Sequence, residues 1–176
     1  MREEFVQLII DRLDRNSDAI KADFAANKGV AAHFTAIDDL LPYEIARCVA
    51  DAFPPESEMR LMDTFRERKH TSKSLDKFDP LMADITFAFQ DQRVIGRVAE
   101  LTGIRDAVGD PHLYAGGLSA MAKGHFLNPH IDNSHDGEQQ NYRVLNLLYY
   151  ITPDWDAKNG GNLELWDENV TTPIEI

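Results

Sequence analysis

Apolar residues recur at spacings of three to five along residues 3–26, with charged residues between them. This period places them on one side of a helix, so the pattern predicts an amphipathic helix with a break near Asn16 and Ser17. Three further segments predict helices: "LPYEIARCVADAF", "DPLMADITFAFQ" and "QRVIGRVAELTG". Pro42 stands near the start of the first, and Gly103 is a C-cap for the last. Cys48 lies within the first of these three and is expected to be a small buried residue.

The pattern changes after Asp110-Pro111. "LYAGGLSAMAKGHFL", "RVLNLLYYIT" and "NLELWD" are typical of strands, separated by turns rich in Gly, Asn and Asp. "VAAHFTAI" at 30–37 predicts an earlier strand, whereas 56–77 is charged and irregular. The expected fold class is α+β, with a helical leader over 1–28 and a main domain over 29–176. In that domain 29–110 would be mainly helical support, and 111–176 an antiparallel β structure.

Composition sets further limits. With 176 residues and 43% hydrophobic content the chain can bury a core of its own, and one domain is the default. A formal charge of -12 argues against a nucleic-acid partner, which needs clustered Lys and Arg. A single Cys excludes an internal disulfide, and no stretch is long and apolar enough to span a bilayer. We therefore expect a cytoplasmic protein without a membrane partner.

Candidate chemistry lies in "NPHIDNSHDGEQQNYRVLNLLYYI". If this segment is a strand, His130 and Asp132 share one face and Ile131 points the other way. An imidazole nitrogen beside a carboxylate oxygen suits a divalent metal, and with one more His the pair would form the facial triad of non-haem Fe(II) oxygenases. The simpler alternative is a His and an Asp that bond to each other or to water.

The run "RVLNLLYYIT" alternates too little for a half-solvated strand, so we expect cover on both sides. Asn146, Leu148 and Tyr150 would share one face. A buried Asn and a Tyr hydroxyl need partners. A small carboxylate ligand and a structural hydrogen bond are equally good explanations. The turn "DAKNGGN" would then lead into "NLELWD" as the returning strand.

Taken in order, "LYAGGLSAMAKGHFLNPHID" and "RVLNLLYYITPDWDAKNGGNLELWD" resemble the prolyl-4-hydroxylase-like branch of the 2-oxoglutarate- and Fe(II)-dependent dioxygenases. "FPPESEMRLMDTFRERKHTSKSLDKFDPLMADITFAF" and "LTGIRDAVGDPHLYAGG" are similar to bacterial and fungal members of that branch. The resemblance runs from about residue 33 to 170. It rests on the combination of HxD, an apolar strand ending in Tyr-Tyr, a "DW" turn, a Gly-Gly pair and "LELWD".

The resemblance implies a double-stranded β-helix, or jelly roll, with supporting helices, in which 29–176 is the dioxygenase domain. It implies that His130 and Asp132 bind Fe(II), and that Tyr150, Asn146 and Leu148 line the 2-oxoglutarate site. O2 is the second cosubstrate, and ascorbate is a candidate cofactor. The reaction would hydroxylate a substrate C–H, releasing succinate and CO2. The substrate would be a prolyl residue in a protein or peptide, or a small molecule.

Two candidate substrate contacts follow from the resemblance. The polar loop 133–141, which begins at Asn133, lies where relatives have a mobile segment over the substrate entrance; a plain solvated loop is the alternative. Arg143 either contacts substrate or merely flanks the strand, and the second role is the simpler one.

The sequence also departs from that family. A second His ligand and an Arg that pairs with 2-oxoglutarate are expected several tens of residues past "LELWD", and neither is present. We therefore expect a truncated barrel without its carboxy-terminal strands. One side of "VLNLLYYI" would be uncovered and prone to self-association. Two alternatives stay open: an inactive binding module of the same fold, and a cupin-like metal isomerase or hydrolase that uses His130 and Asp132 without 2-oxoglutarate.

Overall fold

A computed structural model describes residues 1–114 and 116–176. Ala115, within the predicted strand segment "LYAGGLSAMAKGHFL", lies outside the described residues. The helices are α1 (Arg2–Arg15), α2 (Ser17–Ala25), α3 (Tyr43–Asp51), α4 (Pro80–Phe89) and α5 (Gln92–Thr102). The strands are β1 (Arg60–Asp63), β2 (Glu67–Ser72), β3 (Leu118–Ala120), β4 (Phe126–Leu127), β5 (Glu164–Trp166) and β6 (Pro173–Glu175).

The helix predictions are confirmed, because their end signals act as expected. The break between α1 and α2 falls at Asn16, which ends one helix and begins the next. Asp79 accepts the Leu81 N–H at the start of α4, next to Pro80 in the first turn. Gly103 closes α5 with a left-handed φ of 72°, a conformation that costs glycine little.

A helical core holds the amino-terminal half together. α1 packs against α4 and α5, and α3 packs against α4. The largest fully buried side chains in this core are Val6, Ile9, Val49, Met82 and Val94. Cys48 is exposed, so its predicted burial is wrong. α3 directs Val49 into the core, and Cys48, one position earlier, lies about 100° around the helix from it.

The charged stretch 56–77 was predicted to be irregular, which is wrong for its centre. β1 and β2 pair antiparallel, with Arg60 opposite Thr71 and Asp63 opposite Arg68. β2 also pairs with β3 and with β4, so it is the central strand of a small antiparallel sheet. The side chains of β2 lie in ion pairs and at half-buried positions, and neither face of the strand is fully buried. Its sequence "ERKHTS" therefore lacks the alternation of apolar residues that predicts a strand.

Two strand predictions are wrong. Residues 30–37 form no strand and make one backbone bond to the carboxy-terminal half, from Ala31 N–H to the Trp166 carbonyl. Residues 144–152 pair with no strand either. The strand predicted from "NLELWD" does form, as β5, but it pairs with β6 in a hairpin and not with residues 143–151. Strand propensity alone does not make a ladder, which requires a partner in register.

The expected cover on both sides of this segment is also wrong. Four of its side chains are 46–66% exposed: Val144, Leu147, Leu148 and Tyr150. This exposure agrees with the second expectation, that a truncated barrel leaves one apolar side uncovered. Tyr149 and Ile151 pack against the core, and the Tyr149 ring lies 5.3 Å from that of Phe89.

Helices and small antiparallel sheets together make a mixed architecture, consistent with the predicted α+β class. In the part of the chain that the structure describes, no helix has the length and apolar character needed to cross a membrane.

We expect Ile9→Ala to lower the free energy of unfolding by about 2–5 kcal/mol, because it leaves a cavity where α1 meets the core. Ile131→Ala makes the same change at a residue that is 95% exposed and should cost less than about 0.5 kcal/mol. Urea unfolding followed by circular dichroism measures both. Equal costs for the two variants would contradict the described core.

An ion-pair cluster joins the starts of α1 and α5. The Arg93 guanidinium donates to both carboxylate oxygens of Glu3, at 2.6 and 2.7 Å, and to Asp91 at 2.9 Å. The Arg93 side-chain hydrogen bond is the main cause that lowers the pKa of Asp91 from 3.8 to about 2. A lowered pKa stabilises the fold above pH 3.8, and this contribution is lost as the pH falls through about 2.

Arg93→Leu should return the pKa of Asp91 most of the way to 3.8, with a remainder held by the Arg93 backbone N–H. Carboxyl ¹³C NMR titration measures the midpoint. Arg47→Leu removes a comparable surface ion pair with Asp51 and should leave the Asp91 midpoint unchanged. An Asp91 midpoint that stays at about 2 in Arg93→Leu would refute this role of Arg93.

Candidate metal centre

Asn128 fixes the segment that carries the candidate ligands. Its backbone N–H donates to the Arg66 carbonyl at 2.9 Å, and its side-chain amide donates to the Phe65 carbonyl at 3.0 Å. Both carbonyls belong to the turn between β1 and β2. The residues after β4 are therefore held against this hairpin turn even though 128–133 form no strand.

Asn128 also orients His130. Nδ1 of His130 lies 2.8 Å from the Asn128 carbonyl oxygen. A carbonyl can only accept, so Nδ1 must carry the proton in this bond. In the neutral ring Nε2 then has a free lone pair, which is the arrangement that metal-binding histidines use.

The structure brings His130 and Asp132 together, as the spacing predicts. Nε2 of His130 lies 3.4 Å from Oδ1 of Asp132, and Ile131 between them points into solvent. Imidazole and carboxylate bonds to divalent metals are about 2.0–2.2 Å long, so two atoms at this separation can both reach one ion. The donor set, its spacing and the tautomer of His130 all fit two positions of an Fe(II) ion.

Arg143 and Asn146 complete the group around Asp132. Nη2 of Arg143 lies 3.5 Å from Oδ2 of Asp132, and the Asn146 amide donates to the same oxygen. Arg143 also donates to the amide oxygen of Asn146. A regular strand would place Arg143 and Asn146 on opposite faces. Both side chains reach Asp132 here because residues 143–146 do not follow the alternation of a strand.

The group is partly open to solvent. The side chains of His130 and Arg143 are 22% and 20% exposed, and that of Asp132 is 43% exposed. Leu148 and Tyr150 are 58% and 66% exposed, so neither lines an enclosed pocket. Burial of part of the ring still raises the pKa of the Tyr150 phenol.

The polar loop after Asn133 is built on its own hydrogen bonds. Asp136 accepts from the Gln140 N–H and the Asn141 side chain, and these bonds lower its pKa. Asn133 itself is exposed.

β2 adds charge near the group. Glu67 and Lys69 form a 2.8 Å ion pair. The Lys69 hydrogen bond is the main cause of the lowered pKa of Glu67. Sequence reasoning missed both this pair and the role of Asn128. The Asn-Pro before His130 was the only local signal for Asn128, because such pairs favour turns.

The other histidines have separate surroundings. The His70 and His125 rings lie 5.2 Å apart, and His135 packs on Tyr142 at 4.2 Å. His33 contacts the Phe24 carbonyl, and His112 is exposed. Across residues 1–114 and 116–176, no three His, Cys, Asp or Glu side chains are grouped closely enough to hold a metal. Of the three side chains that a facial triad needs, the described residues bring together two candidates, His130 and Asp132.

Residues 116–176 match the family model of the 2OG-Fe(II) oxygenase superfamily. This segment is roughly the carboxy-terminal third of the chain and contains all four residues of the group around Asp132. The match supports a dioxygenase-type enzyme at the level of the superfamily, which in general uses Fe(II), 2-oxoglutarate and O2. Searches of curated proteins and of solved structures find no match to the chain.

We expect His130 to be the Nδ1–H tautomer when its ring is neutral, because Nδ1 donates to the Asn128 carbonyl. His125 is an internal control with the opposite tautomer. Its Nδ1 accepts the Ala122 N–H at 3.1 Å, so in the neutral ring the proton is on Nε2. Long-range ¹H–¹⁵N NMR distinguishes the two tautomers. An Nε2–H tautomer at His130 would rule out the orientation described here.

Proposed function

We propose that the protein is a 2-oxoglutarate- and Fe(II)-dependent oxygenase that hydroxylates a substrate C–H and releases succinate and CO2. The observation that carries this proposal is the His130–Asp132 pair. Its oriented Nε2 and its carboxylate oxygen, 3.4 Å apart, lie within the segment that matches the oxygenase superfamily.

In this proposal His130 and Asp132 hold the iron, which supplies the oxidative chemistry when it is bound. Because Nδ1 of His130 donates to the Asn128 carbonyl, the neutral ring offers its Nε2 lone pair to a metal. The half-open position of Asp132 leaves room for further ligands. The Tyr150 hydroxyl, a hydrogen-bond donor at neutral pH, is the proposed contact for the distal carboxylate of 2-oxoglutarate.

The jelly roll is part of the proposal. Over residues 148–151 the side chains alternate as in a strand, although no partner strand is paired: Tyr149 and Ile151 pack inward, while Leu148 and Tyr150 face solvent. We propose that this segment becomes a barrel strand when a partner strand covers it, and a second copy of the chain is one source of such a strand.

For the substrate we propose a prolyl residue in a protein or peptide. The support is the likeness of "RVLNLLYYITPDWDAKNGGNLELWD" to the prolyl-4-hydroxylase-like branch. The open surface beside His130 and Asp132 suits an extended chain better than a small buried molecule. We further propose that the protein acts in the cytoplasm.

The test is conversion of ¹³C-labelled 2-oxoglutarate to succinate by the full chain, with Fe(II), ascorbate and O2, measured with and without a proline-containing peptide. We expect succinate to form only with Fe(II) and to fall to background in His130→Ala, because one of the two ligands is lost. His112→Ala removes an exposed histidine outside the group and should keep the full rate.

Mass spectrometry of the peptide tests the substrate class, since hydroxylation adds one oxygen atom. Succinate formation without iron, or an unchanged rate in His130→Ala, would refute the oxygenase proposal. Succinate without any gain of oxygen by the peptide would refute only the prolyl substrate.

A further inference from the structure

The Asn146 side chain connects two charged groups of opposite sign. Its amide nitrogen donates to Oδ2 of Asp132, and its amide oxygen accepts from Nη2 of Arg143 at 2.5 Å. A carboxylate can only accept and a guanidinium can only donate. The amide therefore has one permitted orientation, because turning it over would place oxygen against oxygen and nitrogen against nitrogen.

This bridge makes the two oxygens of Asp132 unequal. Oδ2 is engaged by the Asn146 amide and lies 3.5 Å from Arg143, whereas Oδ1 faces Nε2 of His130. The Asp132 side chain is 43% exposed, so little packing would otherwise fix its rotation. The Asn146 bond is then the main restraint that keeps Oδ1 directed toward His130.

The bridge also keeps Arg143 from forming a two-pronged, hydrogen-bonded pair with Asp132. Arginine forms strong two-pronged pairs with carboxylates, and such a pair would occupy both oxygens of Asp132. Because Nη2 of Arg143 donates to Asn146, the guanidinium stays at the edge of hydrogen-bonding distance from Asp132.

We propose that Asn146 is a positioning residue that presents Oδ1 of Asp132, together with Nε2 of His130, to one metal ion. The family resemblance implies a different role for it, as part of the 2-oxoglutarate site. This inference rests on the proposed function, since it requires His130 and Asp132 to bind a metal.

Titration of the metal-free full chain with Co(II), followed by visible absorption, tests the role directly. Asn146→Leu keeps the size of the side chain and removes both hydrogen bonds. We expect it to weaken Co(II) binding about 10–100-fold, the usual effect of losing a partner that orients a ligand. The absorption band of bound Co(II) should also change, because it reports the ligand arrangement and not the stability of the fold.

Asn141→Leu is the matched control. Asn141 donates to Asp136 at 2.8 Å, so this variant also removes an Asn–Asp hydrogen bond, but from a pair in the polar loop. It should keep the wild-type affinity and spectrum. Asn146→Ser is a second variant at the same position, with a hydroxyl too short to bridge the two charged groups, and should match Asn146→Leu. Circular dichroism melts verify that each variant is folded.

The outcomes separate the two proposals. Wild-type affinity and spectrum in both Asn146 variants, with binding lost in His130→Ala, would overturn the role of Asn146 and leave the metal centre intact. A wild-type chain that binds no Co(II), or that binds it equally well after His130→Ala, would overturn the metal centre itself and the role of Asn146 with it.

Discussion

Three hydrogen bonds of Asn128 hold the candidate metal centre in place. In two of them Asn128 donates to carbonyls of the turn between β1 and β2. In the third, the Asn128 carbonyl accepts Nδ1–H of His130. The His-Ile-Asp segment has no ladder of its own, so these bonds to the hairpin fix its start, and the bond from Asn146 to Asp132 holds its end. The hairpin in turn depends on β2, which pairs with three other strands. The charged segment that looked least structured in the sequence is therefore the support of the site.

The two halves of the chain differ in how their order arises. Helices α1, α4 and α5 share a core of closely packed aliphatic side chains, among them Val6, Ile9 and Met82. The carboxy-terminal half has short strands, turns stabilised by Asp and Asn, and an unpaired apolar segment over 144–151. Stability from burial is thus concentrated in the helices, and the site lies in a region held mainly by hydrogen bonds.

Local signals explain which predictions succeeded. The helices carry their own end signals, such as Asp79-Pro80 and Gly103, and a period that one segment alone can reveal. Strands depend on partners elsewhere in the chain, which local sequence does not reveal. The segment "RVLNLLYYIT" has the composition of a strand but remains unpaired, whereas "ERKHTS" lacks that composition and is paired on both sides. His130 and Asp132 do meet, although the prediction relied on a strand and residues 128–133 form none. The contacts of Asn128 with Phe65 and Arg66 and of Asn146 with Asp132 join residues 14 to 63 positions apart, and no local pattern encodes them.

The inequality of the two Asp132 oxygens has a consequence for how many bonds the carboxylate can make. With Oδ2 held by Asn146, only Oδ1 is free to bind, so Asp132 would be a monodentate ligand. A bidentate carboxylate would use up one more position on the ion. In a loaded site, the hydrogen bond of a neutral amide would thereby leave one more position for a cosubstrate such as a chelating 2-oxo acid, which would need two.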